Sequence, residues 1–406
     1  STYFSFLQDS NRIGRNSPRP YTGISLLASF SDCSCAMLDA SAARHNGLVA
    51  GKRVGIINSG GDCAGLNAVI ASAVKAGISM GYEFIGFEKG WEGLLNPLHF
   101  RNLDLRTVAG ISYLGGTILG TVNKGRFGAK AGTGQSKRIP DEILAEAKAN
   151  LEATGCDGLI VIGGDGTLTG ASQLAELGVR IVGVPKTIDN DLGATDRTFG
   201  FSTAVQIVVD ALDRIHTTAS SHGRVIFVET MGRHTGWIAL RAGLAGGANA
   251  ILLPEFPFNV EDFVDFLHAR HSDTGSSVVM VAEGAKIRDQ IVGRSNEETE
   301  YQLGGAANRL MDDVEHICPG EFEMRGAVLG HIQRGGTPNA ADRMLAKAYG
   351  VAAIEAYDRG EFDRMVCYRH LRMQTVPITE AISTLKRVTP SELEYQTAKR
   401  LGVFIH

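Results

Sequence analysis

The sequence predicts an α/β fold built on a mainly parallel sheet, and three observations carry that expectation. From Val54 onward the apolar runs VGIIN, LIVI, IVGVP, VIFVE, ILLPE, VVMVAEG and GAVLG alternate with segments of helical period. Such alternation is the signature of parallel strands joined by crossover helices. Within TAVQIVVDALDRIHTTA, Val205, Val208, Val209, Leu212 and Ile215 share one face while Gln206, Asp210, Asp213 and Arg214 face away, the stripe of a helix lying on a sheet. Finally, the 50 glycines gather at the ends of apolar runs instead of spreading through low-complexity tracts, which marks the loops after strands as functional.

A chain of 406 residues carries about two or three domains, and a hydrophobic content of 44% supplies substantial cores. The net charge of -4 creates no basic field for nucleic acid or anionic membrane, and no run of 18 apolar residues is long enough to span a bilayer. A soluble protein with neither nucleic acid nor membrane as partner is therefore expected, while small anionic substrates stay open. Cys33, Cys35, Cys63, Cys156, Cys318 and Cys367 lack zinc-ligand or disulfide-framework spacing. That usage fits a reducing, cytoplasmic location.

Residues 1–50 are Ser-rich, contain NSPRP and show no sustained periodicity, so they read as an appendage, a tail or an oligomer arm. A transit segment is the rival reading, but aspartates interrupt it. The first strand, in GKRVGIINSGGD, runs into Gly60, Gly61 and Asp62 and then into the helix NAVIASAVKAG. The next, Leu159 to Ile162, reads as buried on both faces and leaves through Gly163, Gly164, Asp165, Gly166 and Thr167. Glycines let backbone N–H groups approach a phosphate, and a helix N-terminus adds positive partial charge. An aspartate at such a corner suits a divalent metal, which makes Asp165 a candidate metal ligand. One GGDG corner alone is equally a solvated turn; two favour a phosphate site.

The third corner, PKTIDNDLGATDRTFGFSTAV, places Lys186, Thr187, Asp189 and Asp191 directly after IVGV. A carboxylate accepts the proton of a substrate hydroxyl, while an ammonium and a hydroxyl stabilise a transferring phosphoryl group. An Asx-rich turn capping a helix is the alternative. Further along, ETMGRHTGW presents Met231, Gly232 and Arg233, VAEGAK presents Glu283, and LGHIQRGGTPNAADR presents His331 and Arg334. The planar fork of arginine suits phosphate. Taken singly, Glu283 is equally a helix cap and His331 an ordinary packed or surface residue. Together these corners describe phosphoryl transfer from a metal-bound donor to a sugar phosphate.

Taken in order, SGGDCAGLNAVI, GGTILGT, GGDGT, PKTIDNDLGATDRTFGFSTAV, SHGRVIFVETMGRHTGWIAL, GGAN, LLPE, VAEG and LGHIQRGGTPNAADR resemble the 6-phosphofructokinase family from about residue 52 to the C-terminus. The resemblance implies two similar three-layer α/β lobes with the active site in the cleft between them. Residues 51–190 would form the larger lobe, binding the donor, residues 191–350 the smaller lobe, binding fructose 6-phosphate, and residues 351–406 a segment packing back on both. It also implies Mg2+-dependent transfer from ATP to the 1-hydroxyl of fructose 6-phosphate, a step of glycolysis. Carried over position by position, Asp189 is the base, Thr187 and Arg233 stabilise the phosphoryl group, and Asp165 and Asp191 place magnesium. Met231, Gly232, Glu283, His331 and Arg334 match sugar-phosphate contacts. Arg224 and Arg325 match arginines lent by a neighbouring subunit, which implies a homotetramer or dimer with shared active sites. Gly61, Asn123, Lys124, Asp165, Gly166, Thr167 and Lys186 fall on the donor side.

The choice of donor divides two residues. Gly166 favours ATP, because the aspartate that pyrophosphate users carry there would repel the α-phosphate of a nucleotide. Lys186 is usual among pyrophosphate-dependent members, so pyrophosphate is the alternative donor. Asn123 stands where bacterial ATP-dependent members have an arginine, and Ala71 and Lys75 stand where bacterial effector-site arginines fall, so the usual ADP and phosphoenolpyruvate response is expected to be weak or absent. NAD and diacylglycerol kinases share a GGDGT corner but lack the PKTIDND, MGRHTGW and GHIQRGG loops. A non-catalytic sensing subunit would have lost Asp189, Thr187 or Arg233, and all three are present.

Overall fold

The computed structural model describes residues 52–123, 125–127, 138–287, 290–291 and 304–406. The N-terminal appendage and Lys124 lie outside the described residues. Along the chain come β1 (Arg53–Asn58), α1 (Leu66–Ser79), β2 (Glu83–Phe87), β3 (Phe100–Leu103), α2 (Asp141–Ala153), β4 (Cys156–Gly163), α3 (Asp165–Ala175) and β5 (Arg180–Pro185). They are followed by α4 (Phe201–His222), β6 (Val225–Thr230), α5 (Trp237–Ala245), β7 (Ala250–Leu252), α6 (Val260–Thr274), β8 (Ser277–Ala282), β9 (Lys286–Ile287), β10 (Gln290–Ile291), α7 (Ala306–Ile317) and β11 (Met324–Val328). The chain closes with α8 (Ala340–Asp358), β12 (Arg364–Arg369), β13 (Arg372–Pro377), α9 (Ile378–Ala381) and α10 (Leu393–Arg400).

Two main sheets result. One has the order β13-β12-β5-β4-β1-β2-β3 and is parallel except at its edges, where β13 and β3 run antiparallel to their neighbours. The other, β11-β6-β8-β7, is parallel throughout. Parallel strands covered by helices on both faces read as continuous apolar runs, and Leu159, Ile160, Val161 and Ile162 of β4 are fully buried. On one face of the first sheet Ile56, Ile160, Ile162 and Val184 pack with Val69 of α1, Val208 and Leu212 of α4 and Tyr349 of α8. That same core continues to Ile226, Val228 and Met280 of the second sheet. Leu168 and Leu174 of α3 cover the first sheet's other face, and Phe263 of α6 and Leu310 of α7 cover the second sheet's. Burying the stripe read along α4 thus joins both sheets to one core.

Register places the site. Asn58 pairs with Ile162 and Gly163 with Pro185, so the loops leaving β1, β4 and β5 emerge side by side. Thr230 pairs with Ala282 and Glu229 with Val328, so the loops leaving β6, β8 and β11 do the same. The C-terminal segment reaches both sheets: β12 joins β5, while Phe404 pairs beside Ala250 of β7. Among the described residues no helix is long and apolar enough to cross a membrane.

Candidate active site

Buried asparagines shape the first corner. Asn58, at the end of β1, donates to Gly120 O at 2.8 Å and accepts from the Thr117 hydroxyl at 2.8 Å. Asn67 of α1 donates to Leu114 O and Gly115 O and accepts from Ile118 N–H. Thr121 donates to Gly60 O at 2.6 Å, so the GGTILGT segment is folded over the β1–α1 loop. Gly60 adopts φ 82°, which only glycine adopts freely.

The second corner is close-packed in the same sense. A Cβ at Gly163 would lie 2.3 Å from Thr167 Cβ, so glycine lets β4 turn directly into α3. Asp165 opens that helix, and its carboxylate accepts from Gly166 N–H at 2.7 Å. Lys186 joins these corners. Its N–H donates to Gly163 O at 2.9 Å, and its buried ammonium donates to Gly61 O. Burial pushes this ammonium down to about 8, helped by the Arg334 and Arg233 guanidiniums. Arg334 reaches the first corner as well, with Nη1 3.2 Å from Asp62 O. A Cβ at Gly61 would lie 2.7 Å from that nitrogen.

The acidic centre lies in the third corner. Asn190 is buried in a left-handed conformation, φ 53°, a state that asparagine tolerates better than most residues. Its Oδ1 accepts from Thr198 N–H at 3.0 Å, while the Thr198 hydroxyl donates to Thr187 O at 2.7 Å. This pinned turn sets Asp189 and Asp191 on either side of Asn190. Asp189 is 4% exposed, and its Oδ1 is buried without a hydrogen-bond partner. Burial pushes its carboxyl up against the opposing pull of Arg334, Arg233 and Lys186, and the Asp165 charge adds to the rise. Burial, then Asp189 and Asp165, push Asp191 up to about 7. Thr187 receives Asp189 N–H at 3.1 Å.

The loop after β6 is seated against this centre. Arg233 has φ 52° and an exposed side chain. Its N–H and that of Gly232 donate to Glu283 Oε1 at 2.8 and 3.2 Å. Burial raises the Glu283 carboxyl. Thr235 is buried 3.4 Å from Asp189 O. Met231 is half-buried, His331 is exposed in the turn after β11, and Asn123 is exposed.

Thus Gly61, Asp165, Gly166, Thr167, Lys186, Thr187, Asp189, Asp191, Gly232, Arg233, Glu283 and Arg334 are linked through contacts or mutual electrostatics. Arg224 and Arg325 are not part of that group. Both pair with Glu323 at the entry ends of β6 and β11, at 2.7 and 2.9 Å, about 20 Å along the strand from Met231 at ~3.3 Å per residue. Reading the sequence missed three further contributors. Asn58 and Asn67 were signalled by polarity inside apolar segments, whereas nothing local marked the C-terminal residue Lys386, whose N–H donates to Asp191 O at 2.7 Å.

Among the described residues no three His, Cys, Asp or Glu side chains form a ready-made metal cage. Magnesium bound together with phosphates takes only one or two carboxylates and keeps its remaining positions for phosphate oxygens and water. Asp165 and Asp191, with the unpartnered Asp189 oxygen beside them, fit that demand. A cation there would also relieve the mutual repulsion that raises Asp189 and Asp191.

The family described as Phosphofructokinase matches residues 53–357. An ATP-dependent 6-phosphofructokinase of Chloroflexus aggregans is 46% identical over 353 residues, covering 87% of this chain and 97% of that protein. A pyrophosphate--fructose 6-phosphate 1-phosphotransferase of Streptomyces coelicolor is also 46% identical, over 360 residues, covering 87% of this chain and 99% of that protein. Among solved structures, Pichia pastoris phosphofructokinase in the T-state superposes with a TM-score of 0.72 at 30% identity. That match takes in 82% of this chain and 35% of the longer Pichia chain.

Proposed function

The chain belongs to the phosphofructokinase family, and from that premise we propose that it is a 6-phosphofructokinase transferring a phosphoryl group from ATP to the 1-hydroxyl of fructose 6-phosphate. One observation carries this reading: Asp189 is a buried carboxylate with an unpartnered oxygen, set among Asp165, Asp191, Lys186, Arg233 and Arg334. Its raised proton affinity suits a base that takes the hydroxyl proton. As that proton moves to Asp189, O1 attacks the γ-phosphorus and the bond to the ADP oxygen breaks. Arg233, Lys186 and the Thr187 hydroxyl offset charge on the phosphoryl oxygens. Asp165 and Asp191 would hold Mg2+, which would supply further neutralisation of the donor phosphates.

In this reading residues 51–190 bind the donor, residues 191–350 bind fructose 6-phosphate through Met231, Gly232, Glu283, His331 and Arg334, and residues 351–406 brace both. The protein acts in cytoplasmic glycolysis. Because Arg224 and Arg325 lie far from Asp189, they serve the site of a neighbouring subunit in a homo-oligomer. Pyrophosphate is the second reading of the donor, favoured by Lys186, the residue usual at that position in pyrophosphate-dependent members, and by the 46% identical pyrophosphate-dependent relative. Gly166 favours ATP, because the aspartate that pyrophosphate users carry there would repel the α-phosphate.

Fructose 1,6-bisphosphate formation with Mg2+ and either ATP or pyrophosphate tests both readings. ATP is expected to support turnover, and Gly166→Asp to lower kcat/KM for ATP at least about 100-fold, the scale of an uncompensated charge beside a phosphate. Turnover with pyrophosphate alone would transfer the donor assignment to Lys186, and inactivity with both would overturn the proposal.

A further inference from the structure

The segment Thr384–Val388, between α9 and α10, crosses both loops that carry the acidic centre and Arg233. Three ties bind it to the first loop. Lys386 N–H donates to Asp191 O at 2.7 Å, Leu385 bridges Leu192, and the Lys386 ammonium donates to Thr195 O at 3.1 Å and Asp196 O at 2.9 Å. There is no slack beneath it, since a Cβ at Gly193 would lie 2.8 Å from Thr384 O. The second loop is held equally. Trp237 Nε1 donates to Lys386 O at 2.8 Å, Arg387 donates to His234 O at 3.3 Å, and Val388 N–H shares the Glu255 carboxylate with Gly236 N–H at 3.1 and 3.0 Å. The Lys386 ammonium also lies 5.5 Å over the Trp237 ring.

We propose that Lys386 is a positioning residue for phosphoryl transfer, the pin that sets the Asp189–Asp191 loop against the Arg233 loop. This rests on the roles assigned above to Asp189 and Arg233. Its ammonium is committed to two main-chain carbonyls of the first loop, and its own carbonyl holds the indole that starts α5. Lys386 thus bonds to both loops whose groups must act on the same phosphoryl group, and its ammonium is the part of that link that a substitution removes. Losing two anchors on one loop shifts Asp189 relative to Arg233, and a displacement of about 1 Å costs roughly 100-fold in rate. The ammonium's anchors, Thr195 O and Asp196 O, lie on the first loop, whereas Met231, Gly232, Glu283, His331 and Arg334 follow β6, β8 and β11, so substrate affinity is expected to stay.

Lys386→Met, Lys386→Gln and Lys386→Arg in the full chain test the assignment by steady-state kinetics with saturating donor and Mg2+. Lys386→Met is expected to lower kcat about 30- to 100-fold with KM for fructose 6-phosphate within about twofold of the parent. Lys386→Arg, which retains two donors, is expected to recover kcat to within about fivefold. Lys386→Gln keeps the question decidable if the methionine variant does not fold. Unchanged kcat in Met and Gln variants overturns the positioning role alone, as does a parallel loss of kcat and affinity that arginine does not rescue. A parent inactive with every donor overturns the functional reading with it.

Discussion

Asp191, proposed above to hold magnesium, shows how burying a carboxylate costs stability. Burial and the neighbouring Asp189 and Asp165 raise its carboxyl from 3.8 in a free chain to about 7 in the fold. Between those values the folded state binds a proton that the unfolded state has released, so stability falls as pH rises through that window. Below about 4 both states are protonated and the effect vanishes; above about 7 the penalty is complete. Asp191→Asn is therefore expected to raise the thermal midpoint of the ligand-free protein at pH 7.5 and to narrow that gain at pH 4.5, while lowering phosphoryl transfer. Calorimetric scans at the two pH values check this, and an equal shift at both would refute the electrostatic cause. The aspartates were legible because two carboxylates flanking one asparagine after an apolar run is a local pattern. Their raised proton affinity was not, because it arises from burial beside Asp165, a residue on another strand end.

At the scale of elements, two helices start by capping each other. α4 begins after Gly200, which has no side chain to cap it. Asp342 of α8 supplies the acceptor, receiving Thr203 N–H at 2.6 Å and the Thr203 hydroxyl at 2.7 Å. Asn339 caps α8 by accepting Asp342 N–H at 3.0 Å and donates to Ser202. Asp342 is 1% exposed, so Asp342→Ala would strand a buried N–H and hydroxyl. A loss of about 2–4 kcal/mol is expected in chemical denaturation at fixed protein concentration, and a loss under about 0.5 kcal/mol would show that water replaces the carboxylate. The α4 stripe was readable because helical period is written in the residues that make it. The β12–β13 pair was not, because RMVCYR and RMQTVP are interrupted by arginines and other polar residues and lack the long apolar run of a central strand.

For the whole molecule, the separation of Arg224 and Arg325 from Asp189 has a direct consequence if sites are shared between subunits. A variant lacking both arginines and an Asp189→Asn variant are each expected to be inactive alone. Co-assembled, they regain partial turnover, since an intact Asp189 from one meets intact arginines from the other. Kinetics on hybrids with co-assembly verified by separable tags check this, and inactive hybrids would confine each site to one chain.

The sequence alone marked the loops after the strands and the order in which they carry Asp165, Lys186, Thr187, Asp189, Asp191 and Arg233. Strand burial, glycine turns and the helical stripe are local properties, each legible within about a dozen residues. Only the tertiary structure decided that Lys186 reaches Gly61 across 125 residues, that Arg334 reaches Asp62 across 272, and that Lys386 anchors Thr195 across 191. Those contacts follow from sheet register and the shared core, which no short window of sequence contains. The charge shifts at Lys186, Asp189 and Asp191 followed for the same reason: only burial together replaces water with a weakly polar interior in which neighbouring charges are felt.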